Sequence, residues 1–333
     1  MRSLKSTLLI SGYLIVVMSG CAPDASHDNP LDPSSPNYNS NGDLSGRVLT
    51  VGLPYSGVAG ALVLIEQTGA AQTTASDGTF SFSTTPSGSL TLVISKGAYL
   101  SDTVRVSVPV GGKDSIDVYM DALPQISNTA VITTKIDQWW PGPVYSATVS
   151  ATVVDRDGSA DIDSVYAQVV YSQVDTLTFG MSLPDKSNIS RVSIDASLLP
   201  NQDLQGLIGK EIDVFAIDKS NGIGRSAPAY VTRLIEEEPT PTVKSTPDTL
   251  TSMPTFEWDP PSVSFSYTYQ LQVFVIKGGI PQFVWSQSGV SSSNVSYQYN
   301  GTPLDSATYF WTAAIVDQFG NSSRSKEAPF VVQ

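Results

Sequence analysis

Apolar and polar residues alternate along most of this chain in runs of four to ten, separated by clusters of Gly, Pro, Asn, Asp and Ser. A period of two puts every second side chain on one face, so the pattern predicts half-buried β-strands. In the first stretch, Leu44-Ser45-Gly46-Arg47-Val48, 61–65, 79–82 and 90–94 read as strands, and Asp77-Gly78 reads as a hairpin turn. Further on, 145–154 alternates clearly, and 165–170, 191–194 and 211–217 continue the pattern; 198–209 has the look of a short helical turn. The last stretch begins a strand at Pro254-Thr255-Phe256-Glu257-Trp258 and continues with strands at 267–273 and 308–317. Trp258 and Trp311 fall on core positions of that pattern, whereas Trp285 fits either face.

The beginning breaks the period. Arg2 and Lys5 precede an apolar run, 8–18, which ends on Ser19-Gly20-Cys21. A basic start, an apolar middle and a small-residue cleavage site describe a secretory signal. The run is shorter than the ~20 residues a spanning helix needs. Residues 22–43 are polar and rich in Pro, Asn and Ser, as in a tether that cannot bury enough surface to fold alone. Glu236-Glu237-Glu238-Pro239-Thr240-Pro241-Thr242 combines like charges with prolines and reads as a short extended linker. The organisation expected is a signal peptide over 1–20, a tether over 21–43, β-sandwiches over 44–121 and 124–235, a linker over 236–242, and a third sandwich over 243–333. The fold class is all-β, with three tandem β-sandwich domains.

Several of these segments resemble known families. Met18-Ser19-Gly20-Cys21 resembles the bacterial lipobox, although Leu is usual at the place of Met18. The resemblance implies lipidation of Cys21 on its sulfur and amine; a plain secretory signal with an unpaired thiol is the alternative. Ala22, after the cysteine, is permissive for the outer membrane of a Gram-negative bacterium, and Asp28-Asn29-Pro30-Leu31-Asp32-Pro33 is similar to the tether of lipoproteins from such bacteria. Gly46-Arg47-Val48, 57–63, 73–80 and 86–92 resemble, in order, the carboxypeptidase regulatory-like domain. That implies a seven-stranded, transthyretin-like, non-catalytic sandwich with a carbohydrate-binding-like fold. Residues 124–235 resemble bacterial immunoglobulin-like domains, and Tyr309-Phe310-Trp311-Thr312-Ala313 resembles the late strand of fibronectin type III domains. The ends of the second and third units also resemble each other: 216–222 (AIDKSNG) parallels 315–321 (IVDQFGN), and Ser226-Ala227-Pro228 parallels Glu327-Ala328-Pro329.

Charge and composition narrow the function. The chain has 18 basic and 31 acidic residues; without Arg2 and Lys5, 16 basic residues remain and the net charge is −15. An acidic surface argues against nucleic acid and against attraction to anionic membranes. The single histidine, His27, lies in the tether and the single cysteine is Cys21, so neither a Ser-His-Asp device nor a zinc cluster is available in a folded unit. No phosphate loop, dinucleotide fingerprint or nucleophile elbow occurs. The expectation is a protein that is not an enzyme and has no cofactor.

Two sets of residues could carry binding. Asp155, Asp157, Asp161 and Asp163 place hard oxygen ligands around Gly158, as a structural Ca²⁺ loop would. Tyr166 stands where an EF-hand needs a bidentate Glu, and an Asp/Gly turn capping backbone amides is the alternative. Trp139 and Trp140, beside Pro141, could stack on a sugar or enter a partner's pocket; a Trp packed on the neighbouring domain is the alternative. The function expected is a lipid-anchored cell-envelope protein for surface display, adhesion or scaffolding. A carbohydrate-binding surface protein is the alternative, and an enzyme accessory subunit ranks below both. The partners expected are the membrane, through the N-terminal lipid, and a surface glycan or protein.

Overall fold

The computed structural model describes residues 29, 32–38, 40–172, 175–243 and 247–333. Cys21, His27, the apolar run 8–18 and most of the 21–43 stretch lie outside them. Over the described residues the chain is all-β, with three sandwiches in tandem.

The first sandwich has β1 (Asn41–Thr50), β2 (Leu62–Ile65), β3 (Ala71–Thr73), β4 (Thr79–Pro86), β5 (Gly88–Ser95), β6 (Asp102–Val108) and β7 (Lys113–Met120). The sheets run β4-β1-β7 and β3-β2-β5-β6. Alternate residues of the strands turn inward, so Leu44, Val48, Phe80 and Phe82 meet Val63, Leu92 and Ile94 in one core. Strands β1 and β7 run parallel. Gly46 permits that pairing, because a Cβ there would lie 2.2 Å from the Ile116 carbonyl oxygen. Asp77-Gly78 does form a turn, with Gly78 at φ +82° and Asp77 Oδ1 accepting from the Thr79 amide. It is not the bend of a paired hairpin. Strands β3 and β4 lie in opposite sheets, because β4 finds its partner in the distant β1.

The second sandwich has β8 (Gln125–Ile136), β9 (Val144–Val154), β10 (Ile162–Val170), β11 (Thr176–Gly180), β12 (Ile189–Asp195), β13 (Glu211–Asp218), β14 (Ile223–Arg225) and β15 (Ala229–Tyr230). One sheet is β11-β10-β13-β14, with β15 also on β13; β12-β9-β8 lies opposite. Short 3₁₀ turns at Ala196–Leu198, Pro200–Gln202 and Leu204–Leu207 occupy the place of the expected helical turn, and Leu204 and Leu207 are buried in the core.

The third sandwich has β16 (Thr240–Pro241), β17 (Asp248–Leu250), β18 (Thr255–Asp259), β19 (Tyr267–Lys277), β20 (Ile280–Ser291), β21 (Ser296–Gln298), β22 (Ala307–Asp317), β23 (Ser322–Arg324) and β24 (Ala328–Val332). Its sheets are β16-β18-β21 and β20-β19-β22-β23, the latter extended by β24 and β17. Trp258 and Trp311 are buried, with the Phe256 ring 4.7 Å from Trp311 and Tyr269 5.0 Å from Trp258. Trp285 sits at the edge of this core, half-buried, with its indole N–H on Asn300 Oδ1 at 3.0 Å.

The last two sandwiches share a sheet. Strand β8 pairs in parallel with β23, Ser322 to Thr134 and Arg324 to Ile136, which makes one nine-stranded sheet. The acidic 236–242 stretch is extended but tied down. Lys135 Nζ bonds the Glu238 carboxylate and the Glu236 carbonyl, Tyr145 and Gln205 hold the Glu236 carboxylate, and Thr240-Pro241 pairs with β18. Two of the three glutamates, Glu236 and Glu238, therefore find partners on the second sandwich, which a local reading of like charges misses.

Candidate metal centre and aromatic groove

The parallel between the ends of the second and third units is a parallel of geometry. In each, an aspartate closes a hairpin before a short strand. Asp218 Oδ1 accepts from the amides of Ser220 (2.9 Å) and Gly222 (2.7 Å). Asp317 Oδ1 accepts from the amides of Phe319 and Asn321, both at 2.9 Å. The residue before the last of each turn takes a positive φ, Asn221 at +68° and Gly320 at +92°. A buried serine then bridges the strands, Ser226 to Val214 and Ser325 to Ala313. Such carboxylate caps satisfy turn amides that no strand can reach.

The two aspartates differ in their other oxygen. Asp317 Oδ2 accepts from Asn321 Nδ2 at 3.0 Å and pairs with Arg233 at 3.0 Å. Asp218, only 1% exposed, keeps Oδ2 with no hydrogen-bond partner. The place of Asn321 is taken by Gly222, whose Cβ would fall 2.2 Å from that oxygen.

Asp218 faces other acids. One oxygen each from Asp121, Asp161 and Asp218 lie within 4.8 Å of one another, and so do one each from Asp155, Asp157 and Asp161. Asp121 directly follows β7 of the first sandwich; Asp155, Asp157 and Asp161 lie on the β9–β10 loop of the second. Asp157 spans the joint, taking the Gly52 amide on Oδ1 (3.0 Å) and the Ala122 amide on Oδ2 (2.7 Å). Asp155 Oδ1 accepts from the Asp157 amide at 2.8 Å, and Asp121 Oδ1 from the Ser220 hydroxyl at 2.9 Å. Asp121, Asp155 and Asp161 each retain a buried Oδ2 without a partner.

The electrostatics follow from this crowding. Burial pushes Asp121 up to about 6; the Ser220 hydroxyl opposes the shift, and Asp218, Asp161 and Asp157 add to it. Burial likewise pushes Asp155 up to about 6, against the Asp157 amide and with Asp157, Asp161 and Asp218. Asp161 is raised by burial and by Asp218 and Asp157, with Lys219 pulling the other way. Like charges held close in a half-dry site disfavour ionisation.

Of the loop ligands expected, the structure brings together Asp155, Asp157 and Asp161. Asp163 is exposed on β10, next to the inward-facing Ile162, and stands outside both groups. Asp121 and Asp218 join instead. The turn-capping alternative also holds for part of the loop, since Asp155 and Asp157 do cap amides. The signal for Asp218 lay in the repeat that aligns it with Asp317; nothing local marks Asp121.

The tryptophan pair splits. Trp139, 69% exposed on the β8–β9 loop, lies against the third sandwich: its indole N–H donates to the Glu327 carbonyl at 2.8 Å, and Lys326 Nζ stands 4.7 Å from its ring centre. It lines a groove of about 470 Å³ whose apolar wall includes Pro239, Pro241, Val243 and Pro329. Trp140 is 86% exposed and does not line that groove.

No family model matches the chain, and no curated protein matches it. Among solved structures it is similar to the major pilin subunit of Bacillus cereus, at 10% identity, covering 88% of this chain and 98% of that one with a TM-score of 0.33. It is also similar to the FN1-FN3 domains of chicken CNTN1, at 13% identity, covering 82% and 87% with a TM-score of 0.33. A DUF3823 family protein from Bacteroides ovatus is similar at 16% identity, covering 57% and 97% with a TM-score of 0.24.

Proposed function

We propose that this chain is a non-catalytic cell-envelope protein, anchored by lipid on Cys21 to the outer membrane of a Gram-negative bacterium. Its sandwiches act as a stiff arm for surface display, adhesion or scaffolding. The observation that carries this reading is the backbone pairing of β8 with β23, which fuses two sandwiches into one sheet. A hinged string of modules has no need of such pairing, while an arm that holds a partner at a fixed distance does. The lipobox resemblance and the polar stretch before Asn41 supply the anchor and the reach.

The test is fractionation of cells expressing the chain or its Cys21→Ser variant, with palmitate labelling. The intact chain is expected in the membrane fraction and labelled, and the variant is expected free and unlabelled. A variant that stays in the membrane refutes the anchor.

Carbohydrate binding is the second reading, favoured by the exposure of Trp139 and Trp140 and by the groove that Trp139 lines. Aromatic faces stack on the C–H faces of sugars. Glycan arrays are expected to retain the chain and to lose it on Trp139→Ala or Trp140→Ala; an array with no retention removes this reading.

A further inference from the structure

We propose that the junction between the first and second sandwiches is a calcium site, built by Asp121, Asp155, Asp157, Asp161 and Asp218 with Asp161 shared between its two halves. The inference goes beyond the display reading and does not depend on the anchor.

The acids alone would not establish a site. Asp218 does more. It is buried, its Oδ2 has no partner, and one of its oxygens lies within 4.8 Å of oxygens from Asp121 and Asp161. A buried carboxylate oxygen without a counter-charge is costly. The third sandwich shows how the same turn meets that cost, with an arginine and an asparagine amide on Asp317 Oδ2. In the second sandwich the amide is replaced by Gly222, and no ion pair to lysine or arginine is present at any of the five acids among the described residues. Lys219 acts on Asp161 from beyond ion-pair distance, and a bound cation would supply the missing counter-charge.

The donor set selects the ion. Every side-chain donor is a carboxylate oxygen, which suits a hard cation and not zinc or copper. Oxygens on one calcium lie about 2.3–2.6 Å from it and so up to about 5 Å apart. Each trio keeps its three oxygens within 4.8 Å of one another, close enough for one such ion to reach all three. Magnesium demands a smaller, near-octahedral cage and keeps several waters, which a cluster from three separate segments serves less well. An ion here ties the end of β7 to the β9–β10 loop and to the β13 turn, and so stiffens the joint that Asp157 already bridges through the Gly52 and Ala122 amides.

The test uses the full chain, stripped with chelator at neutral pH and titrated with calcium chloride by calorimetry, with melting followed in parallel. Saturable binding and a rise in Tm are expected, since a ligand bound only by the folded state stabilises it. Asp121→Asn and Asp161→Asn are each expected to weaken binding by more than about tenfold, because ligand charge count sets calcium affinity. Removing a repelling charge should also raise the Tm of the metal-free chain. Asp163→Asn should leave binding unchanged. No saturable heat and no shift in Tm at millimolar calcium overturns the site. So does an equal shift with sodium chloride of the same ionic strength, which is charge screening. Loss of binding in Asp163→Asn with retention in Asp121→Asn assigns calcium to the loop alone and overturns the junction.

Discussion

Replacing Asn321 by alanine isolates the joint between the second and third sandwiches. The Asn321 side chain is buried; its Oδ1 accepts from the Thr133 amide at 2.9 Å and its Nδ2 donates to Asp317 Oδ2 at 3.0 Å. Thr133 belongs to β8 and is itself fully buried, so Asn321→Ala leaves its N–H in a dry place without an acceptor. An orphaned buried donor costs about 1–3 kcal/mol, and a hydrogen bond to a charged group contributes about 1.5–3 kcal/mol. Asp317 keeps Arg233 and two turn amides, so the second loss is partial. The sum expected is about 3 kcal/mol. The hairpin itself should survive, because the equivalent turn of the second sandwich closes with Gly222 and no side chain. The cost therefore falls on the shared sheet. Urea unfolding followed by tryptophan fluorescence reads it, since Trp258 and Trp311 report on the third core. The midpoint should fall, and the third sandwich should begin to unfold ahead of the second. Asn321→Asp keeps the acceptor but sets a second carboxylate beside Asp317, and should cost at least as much. A change in Asn321→Ala below about 0.5 kcal/mol, the range of an ordinary surface substitution, would refute the reasoning.

Two further outcomes follow from the third core. Trp258→Ala empties a fully enclosed indole site against Tyr269 and Trp311, and should destabilise that sandwich by about 3–5 kcal/mol in the same denaturation experiment. The Tyr269 phenol, raised to about 12 by burial and by its hydrogen bond to Tyr267, should titrate well above an exposed tyrosine in an ultraviolet titration. Because its folded pKa lies above the unfolded value of about 10, its contribution to stability is complete below that value and is lost as pH rises through about 12.

Much of the strand pattern was legible because burial on one face imposes period two. The runs at 145–154, 211–217, 267–273 and 308–317 became β9, β13, β19 and β22 with small changes at the ends. Strand β8 has no such signal, and β20 shows only in the strand-like Phe283-Val284-Trp285. Few residues of β8 are fully buried and its inward set is broken by a bulge between Ser127 and Ala130, while β20 is an exposed edge, so neither shows clean alternation. For the candidate metal centre, the loop was visible through Asp155, Asp157 and Asp161, but the fourth ligand expected there, Asp163, is exposed and stands outside both groups, and Asp121 and Asp218 come from elsewhere.

Local chemistry by itself determined that the described residues are β, where most turns fall, that Trp258 and Trp311 are core, and that the described residues hold neither histidine nor thiol. These follow from side-chain periodicity, backbone freedom and composition, which neighbours along the chain decide. The tertiary structure alone decided that β3 and β4 part into opposite sheets, that β8 meets β23 across two sandwiches, and that Asp121 and Asp218 close on Asp161. Each of those depends on groups brought together from distant parts of the chain. Two turns with the same local pattern show the difference: Asp317 Oδ2 meets Arg233 and Asn321, whereas Asp218 Oδ2 has no partner and the residue lies beside Asp121 and Asp161.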